Sequence, residues 1–287
     1  MNAPRLSASS YSNTAPLVWS FLYGQNRGHC ELILDNAPAR SAQLLAEKRV
    51  DAALVPVIEY QRIDGVLLVP NVCVGAKEKV RSVCLVTKGE DLKDVQSVAL
   101  DVSSKTSVAL TKIIFREFLG FEPTYEETEP NLSKMLEDSQ CALIIGDPAL
   151  MIADCGSRNV DLSTKKKSWT KDENQFRKFD LVEIWREFTD FGFIFAMWMA
   201  NAEKAEIAET IDFAAARDEG LAHLDEIISN YQPEINLTHE DFKKYLSENI
   251  SYSIDEKMLQ GLELYFKLAE KNNLTKGNKQ LAFTGDY

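Results

Sequence analysis

The sequence predicts an α/β fold in two lobes, each a mixed sheet with flanking helices, joined by a two-strand hinge. Three observations predict it. Strand-like and helix-like stretches alternate through two successive blocks, the pattern of β-α-β units. Two apolar crossing segments, near Val86 and Phe195, part and rejoin the blocks. Beyond residue 201 the chain reads as helices with no strand between them. Residues 1–86 and 196–287 are therefore assigned to a first, discontinuous lobe and residues 87–195 to a second.

A strand opens at Arg5 and runs into the polar turn Ser9-Ser-Tyr-Ser-Asn-Thr14. Thr14 reads as the cap of the next helix, and Pro16 falls in its first turn, where a missing N–H does no harm. Residues 32–34 read as a strand. Asn36 and Pro38 then open a helix whose apolar face is Ala39, Ala42, Leu45 and Ala46, ending near Arg49. Residues 50–55 form the next strand, stopped by Pro56, and strands follow at 66–69, 72–75 and 80–87.

The second block begins after the polar stretch 88–91. Residues 97–100 read as a strand and 104–119 as an amphipathic helix. A strand at 123–126, a helix at 131–138 and a buried strand at 141–145 follow. The lysine-rich stretch 154–178 reads as a solvated loop. Residues 179–184 and 192–198 read as strands. Helices are expected at 202–230, 238–249 and 253–271, with a frayed polar end after Asn272.

Composition narrows the function. The chain has 287 residues, 45% of them hydrophobic, and a net charge of -12. That balance argues against nucleic acid as a partner, which needs clustered Lys and Arg. Met1 to Pro4 show neither a basic start nor an apolar run, and the longest apolar run, 191–200, is shorter than a span of roughly 20 residues. The five cysteines are odd in number and form no C-x-x-C pair; they read as reduced thiols of a cytoplasmic protein. Three scattered histidines give no metal-ligand spacing, so no metal is expected.

Two strand-to-helix turns stand out. The first holds Ser9, Tyr11, Asn13 and Thr14. The second, Asp101-Val-Ser-Ser-Lys-Thr-Ser107, holds Ser103, Ser104, Lys105, Thr106 and Ser107. Each aims backbone N–H groups and hydroxyls at an electropositive helix start, which suits an anion. Capping alone explains one hydroxyl per turn but not four. The second turn lacks the glycines of a nucleotide-binding loop, so no nucleotide is expected. Gly146 and Asp147 follow a buried strand, with Asp147 read as a cap before Pro148. Ser82 can line the cleft between lobes, and so can one or two rings of the cluster from Trp185 to Trp198. Two such turns imply a ligand with two negative groups held between the lobes, at the carboxyl ends of strands.

These segments resemble the chorismate dehydratases of the futalosine route to menaquinone. The resemblance rests on Ser10-Tyr-Ser-Asn-Thr-Ala-Pro-Leu17, Val55-Pro-Val-Ile-Glu-Tyr60, Val80-Arg-Ser-Val83, Asp101-Val-Ser-Ser-Lys-Thr-Ser-Val-Ala-Leu110, Ile145-Gly-Asp-Pro-Ala-Leu150 and Phe195-Ala-Met-Trp198. It implies a type II periplasmic-binding-protein-like fold. It further implies Asn13 and Ser82 as catalytic residues, and Ser9, Tyr11, Thr14, Pro56, Ser103 to Ser107, Gly146 and Asp147 as substrate-binding residues beside them. Two departures stand out: Ser12 replaces the family's leucine, and Lys105 replaces its arginine, giving a point charge where a bidentate fork is usual.

The implied reaction removes water from chorismate, with no cofactor, in a monomer or homodimer. The proton leaves C3, the hydroxyl leaves C4, and the ring becomes aromatic. Neutral donors outnumber bases in these motifs, so the substrate's enolpyruvyl carboxylate is the expected base, with Glu59 and Asp147 as the protein's main carboxylates. Three other readings stand beside this one: a carboxylate-binding protein, an intracellular ligand sensor, and 1,4-dihydroxy-6-naphthoate synthase. The synthase's Ser-Pro-Cys-Pro-Asn motif is absent here, and the sequence shows no helix-turn-helix.

Overall fold

The computed structural model describes residues 3–35, 38–152 and 176–285. Asn36, expected as a cap, and the lysine-rich stretch through residue 175 lie outside the described residues.

The first block folds as β1 (Arg5–Ser9), α1 (Ala15–Leu22), β2 (Glu31–Asp35), α2 (Pro38–Ala46), β3 (Ala52–Pro56) and β4 (Val66–Ala76). The second folds as β5 (Val83–Thr87), β6 (Ser97–Asp101), α3 (Lys105–Ile113), β7 (Thr124–Thr128), α4 (Leu132–Asp138), β8 (Cys141–Ile145), α5 (Gly146–Met151), β9 (Arg177–Asp180) and α6 (Leu181–Thr189). Then come β10 (Phe193–Asn201) and five helices: α7 (Ala205–Ala208), α8 (Phe213–Ala222), α9 (Leu224–Tyr231), α10 (His239–Lys244) and α11 (Glu256–Lys271). Among the described residues no helix is long and apolar enough to cross a membrane.

The strands build two five-stranded mixed sheets, ordered β2-β1-β3-β10-β4 and β7-β6-β8-β5-β9. Both have the same plan. Three parallel strands lie at one side (β2, β1, β3 and β7, β6, β8), then two antiparallel strands. β1 and β6 hold equivalent places, and the two polar turns follow them. Among the described strands the chain passes from the first sheet to the second ahead of β5 and returns ahead of β10.

Several boundaries differ from expectation, each for a local reason. β5 lies wholly in the second sheet and β10 wholly in the first, so the crossings fall ahead of Val83 and ahead of Phe193, not at Val86 and Phe195. Residues 66–75 are one strand, kinked at Asn71, whose φ is 60°. Residues 179–184 are not a strand. β9 stops at Asp180, whose carboxylate accepts from the Val182 and Glu183 N–H groups and so starts a helix. The chain after Asn272 is packed: Tyr60 donates to the Gln280 carbonyl at 2.6 Å, and Leu68 N–H to Ala282 at 2.9 Å.

The same Asp180 fixes the first crossing. It accepts from Val80 N–H at 3.1 Å and Arg81 N–H at 2.6 Å, which holds Arg81 at a left-handed φ of 64°. Burial pushes its carboxyl up to about 6. Helix α11 ties the lobes from the side. Tyr265 packs edge-on to Trp185 and Phe193, and its hydroxyl donates to the Thr106 carbonyl at 3.1 Å.

Candidate functional site

The two polar turns meet where the parallel strands of both sheets end. Between them lies a cavity of about 60 Å³. Its polar wall is Ser9, Tyr11, Asn13 and Thr14 from the first sheet, and Ser104 and Ser107 from the second. Pro56 and Gly146 also line it, and Leu54, Val74, Val80, Val83, Ile145 and Phe195 supply apolar surface. Among the described residues no basic or acidic side chain is on this wall. A larger, open groove of about 1110 Å³ runs along the hinge, and several of its charges are paired, as in Lys77–Asp255 at 2.8 Å and Lys79–Glu183 at 3.5 Å.

The first turn is built on the chain's own carbonyls. Thr14 stands at the cap position of α1 but does not cap it with its side chain. The turn Ser12–Thr14 is already helical, so the Thr14 hydroxyl donates backwards, to the Ser9 carbonyl at 2.6 Å and the Tyr11 carbonyl at 2.8 Å. Ser12 is fully buried and reaches across the cleft. Its N–H donates to Asp147 at 3.2 Å and its hydroxyl makes a second, short bond to the same carboxylate.

The second turn does cap its helix. Ser104 Oγ accepts from the Ser107 N–H at 3.3 Å, and its own proton goes to Ser107 Oγ at 2.9 Å. The Ser107 O–H is thereby left to point into the cavity. Beside it, Asp101 accepts from the Ser103 N–H at 2.9 Å and from the Ser103 hydroxyl.

Three expected site residues lie behind the wall and not on it. Ser82 is fully buried, and its carbonyl accepts from Gly146 N–H at 2.7 Å. Ser103 is turned to Asp101, and it also bonds the phenol of Tyr11. Thr106 Oγ1 accepts from the Ile58 N–H at 3.3 Å, so this buried residue joins the lobes. Lys105 and Asp147 are off the wall too. Asp147 does not cap α5: Ile145 holds the cap position, and Asp147, inside the first turn, spends its carboxylate on Ser12.

Burial shapes the acids around the cavity. It pushes the carboxyls of Asp147 and Asp101 up, against the hydrogen bonds from Ser12 and Ser103 that pull them down. It pushes the Tyr11 phenol up as well. Glu59 stands apart, paired with Arg62 at 2.9 Å. Among the described residues no group of histidine, cysteine and carboxylate side chains is placed to hold a metal ion.

Sequence reasoning missed the apolar half of the wall, except Phe195, because those residues look like ordinary strand core. It also missed Tyr245. This residue begins a π-helical turn (Tyr245–Asn249) after α10, and its buried hydroxyl sits beside Ser82 and Asn13. No local signal marks it, since the C-terminal helices carry no distinctive motif.

Two lobes with a polar cavity between the strand ends define a binding-protein architecture, and solved structures match it. A protein of Archaeoglobus fulgidus superposes with a TM-score of 0.68 at 14% identity, over 94% of this chain and 97% of that one. The periplasmic aliphatic sulphonate binding protein of Escherichia coli gives 0.62 at 14% identity, over 100% and 95%. The second shows that the fold is that of a periplasmic binding protein. The sequence goes further. Residues 4–271 match the menaquinone biosynthesis family, and the chain belongs to it. It is also similar to the chorismate dehydratase of Thermus thermophilus, 29% identical over 267 residues, which cover 91% of this chain and 93% of that protein.

Proposed function

We propose that this protein is a hydro-lyase that converts chorismate to 3-[(1-carboxyvinyl)oxy]benzoate and water. The observation that carries the reading is the cavity wall: six neutral hydrogen-bonding side chains, two of them at the starts of α1 and α3, and no basic or acidic group. Such a wall holds carboxylates through hydroxyls, an amide and helix N-termini. The family membership and the Thermus relative point to the same substrate.

The chemistry needs a proton removed from C3 and a hydroxyl lost from C4. Charge left at C3 spreads through the ring double bond onto the ring carboxylate. Donors around that carboxylate, the Ser107 hydroxyl among them, stabilise the charge as an oxyanion hole does, each worth ~3 kcal/mol. Asn13 has both a donor and an acceptor for the leaving hydroxyl or a carboxylate. The wall itself offers no base. Asp147 is bound to Ser12, and Glu59 to Arg62. The enolpyruvyl carboxylate of the substrate therefore takes the C3 proton, and the protein supplies position and charge stabilisation. The reaction needs no cofactor, runs in the cytoplasm and is complete within one chain, whether monomer or homodimer.

Purified protein incubated with chorismate tests this directly. The expected result is loss of chorismate and a product lighter by one water, absent without protein. No turnover, with chorismate still raising Tm, would instead make the chain a carboxylate-binding protein.

A further inference from the structure

We propose that Tyr245 is a positioning residue that holds Asn13 and Ser82 in register from behind the cavity wall. The proposal rests on the dehydratase reading above. Three separate parts of the chain converge here: the turn after β1, the crossing ahead of β5 and the C-terminal helices. Tyr245 and Ser82 are both fully buried, and Asn13 lines the cavity. The Tyr245 hydroxyl sits beside both side chains without completing a well-aligned bond to either in this arrangement. The Ser82 hydroxyl has only a long contact, 3.4 Å to the Val80 carbonyl.

The inventory of donors fits a bridge. A phenol gives one O–H and accepts on its oxygen, and an amide gives N–H groups at one end and a carbonyl at the other. If the phenol accepts from the Asn13 amide and donates to Ser82 Oγ, both partners become oriented. The Asn13 carbonyl then faces the cavity, and the Ser82 proton is turned away from Tyr245. Burial keeps the phenol protonated far above neutral pH, so it remains a donor. The hydroxyl also sits on a π-helical turn, a rare geometry that recurs at functional sites.

Stability does not explain this hydroxyl. A buried polar atom without a completed bond is a cost to the fold that phenylalanine would not carry. Tyr245→Phe keeps the ring, which stacks near Phe242 at 6.3 Å, and removes only the oxygen. The expected outcome is a kcat on chorismate about tenfold lower or more, a KM within about twofold, and a Tm equal to or above the parent. In the Asn13→Ala background the same change should cost little more, because both act through Asn13. A Tyr245→Phe variant as active as the parent overturns the proposal. So does one whose Tm drops with kcat, or whose loss adds fully to that of Asn13→Ala, since either makes Tyr245 plain scaffold. If the parent itself fails to turn over chorismate, the dehydratase reading falls first, and Tyr245's role falls with it.

Discussion

The two sheets share one plan, yet their polar turns are finished differently. The turn after β6 makes most of its side-chain bonds within itself: Ser104, Ser107, Ser103 and Asp101 bond one another within seven residues of chain, and Thr106 accepts from Ile58 of the other lobe. The turn after β1 is finished by the other lobe, through Ser12 and Asp147. The hydroxyls of the second turn are thus held mainly by their own segment, whereas Ser12 of the first is held by the other lobe. One turn is largely a preformed donor set, the other includes a contact across the cleft and also carries Asn13.

The comparison breaks most visibly at Asn13. Asn13→Ala removes an amide from the wall and should lower kcat by about a hundredfold or more, the size expected for a lost oxyanion donor. Steady-state rates on chorismate check this, with Tm confirming an intact fold. A loss no larger than that of Ser107→Ala would mean that the two turns contribute alike and the asymmetry has no catalytic meaning.

Next comes the contact across the cleft. Ser12→Ala should raise KM for chorismate by about tenfold, in line with a hydrogen bond to a charged group at ~1.5–3 kcal/mol. The effect on kcat should be smaller. Asp147 adds a pH signature. Its folded-state carboxyl is raised, so the folded chain binds that proton more tightly than the unfolded chain. Stability from this group is full below the unfolded carboxylate range and is lost as pH rises through the folded value. Asp147→Asn removes that loss. Urea midpoints across acid to neutral pH should show the variant gaining on the parent as pH rises, and parallel curves would rule the idea out.

Ser104→Ala probes the self-contained turn. Losing the cap of α3 should cost about 1 kcal/mol of stability, seen as a lower urea midpoint, while KM changes less than in Ser12→Ala. A larger KM effect here than at Ser12 would reverse the roles assigned to the turns.

These residues also show what a sequence reveals. The alternating blocks, the second cap and the cavity-facing Ser9, Asn13 and Ser107 were legible because strand, turn and helix starts carry local signals. Thr14's backward bonds were not, since they depend on a 3₁₀ turn that no residue type announces. Asp147 looked like a cap because an acid before proline usually is one; its real partner is 135 residues away. Long-range pairings of this kind, like Tyr245 beside Ser82, arise only from packing. The tail after Asn272 looked frayed because it is polar, yet backbone bonds to Leu68 and a stack of Lys279 on Tyr60 at 3.9 Å hold it.

The smallest effect is expected at Lys105, where the family resemblance leads to arginine. Lys105 opens α3, lies off the cavity wall and is only partly buried. A cation at a helix N-terminus opposes the dipole, so it gains nothing from the helix itself. If the self-contained turn holds its carboxylate through hydroxyls and N–H groups, Lys105→Arg should change kcat/KM by less than about twofold, because an exposed charge adds little across water. A tenfold gain would mean instead that a guanidinium fork reaches the substrate when the lobes close. The preformed turn would then also depend on closure, and the contrast between the two turns would be one of degree.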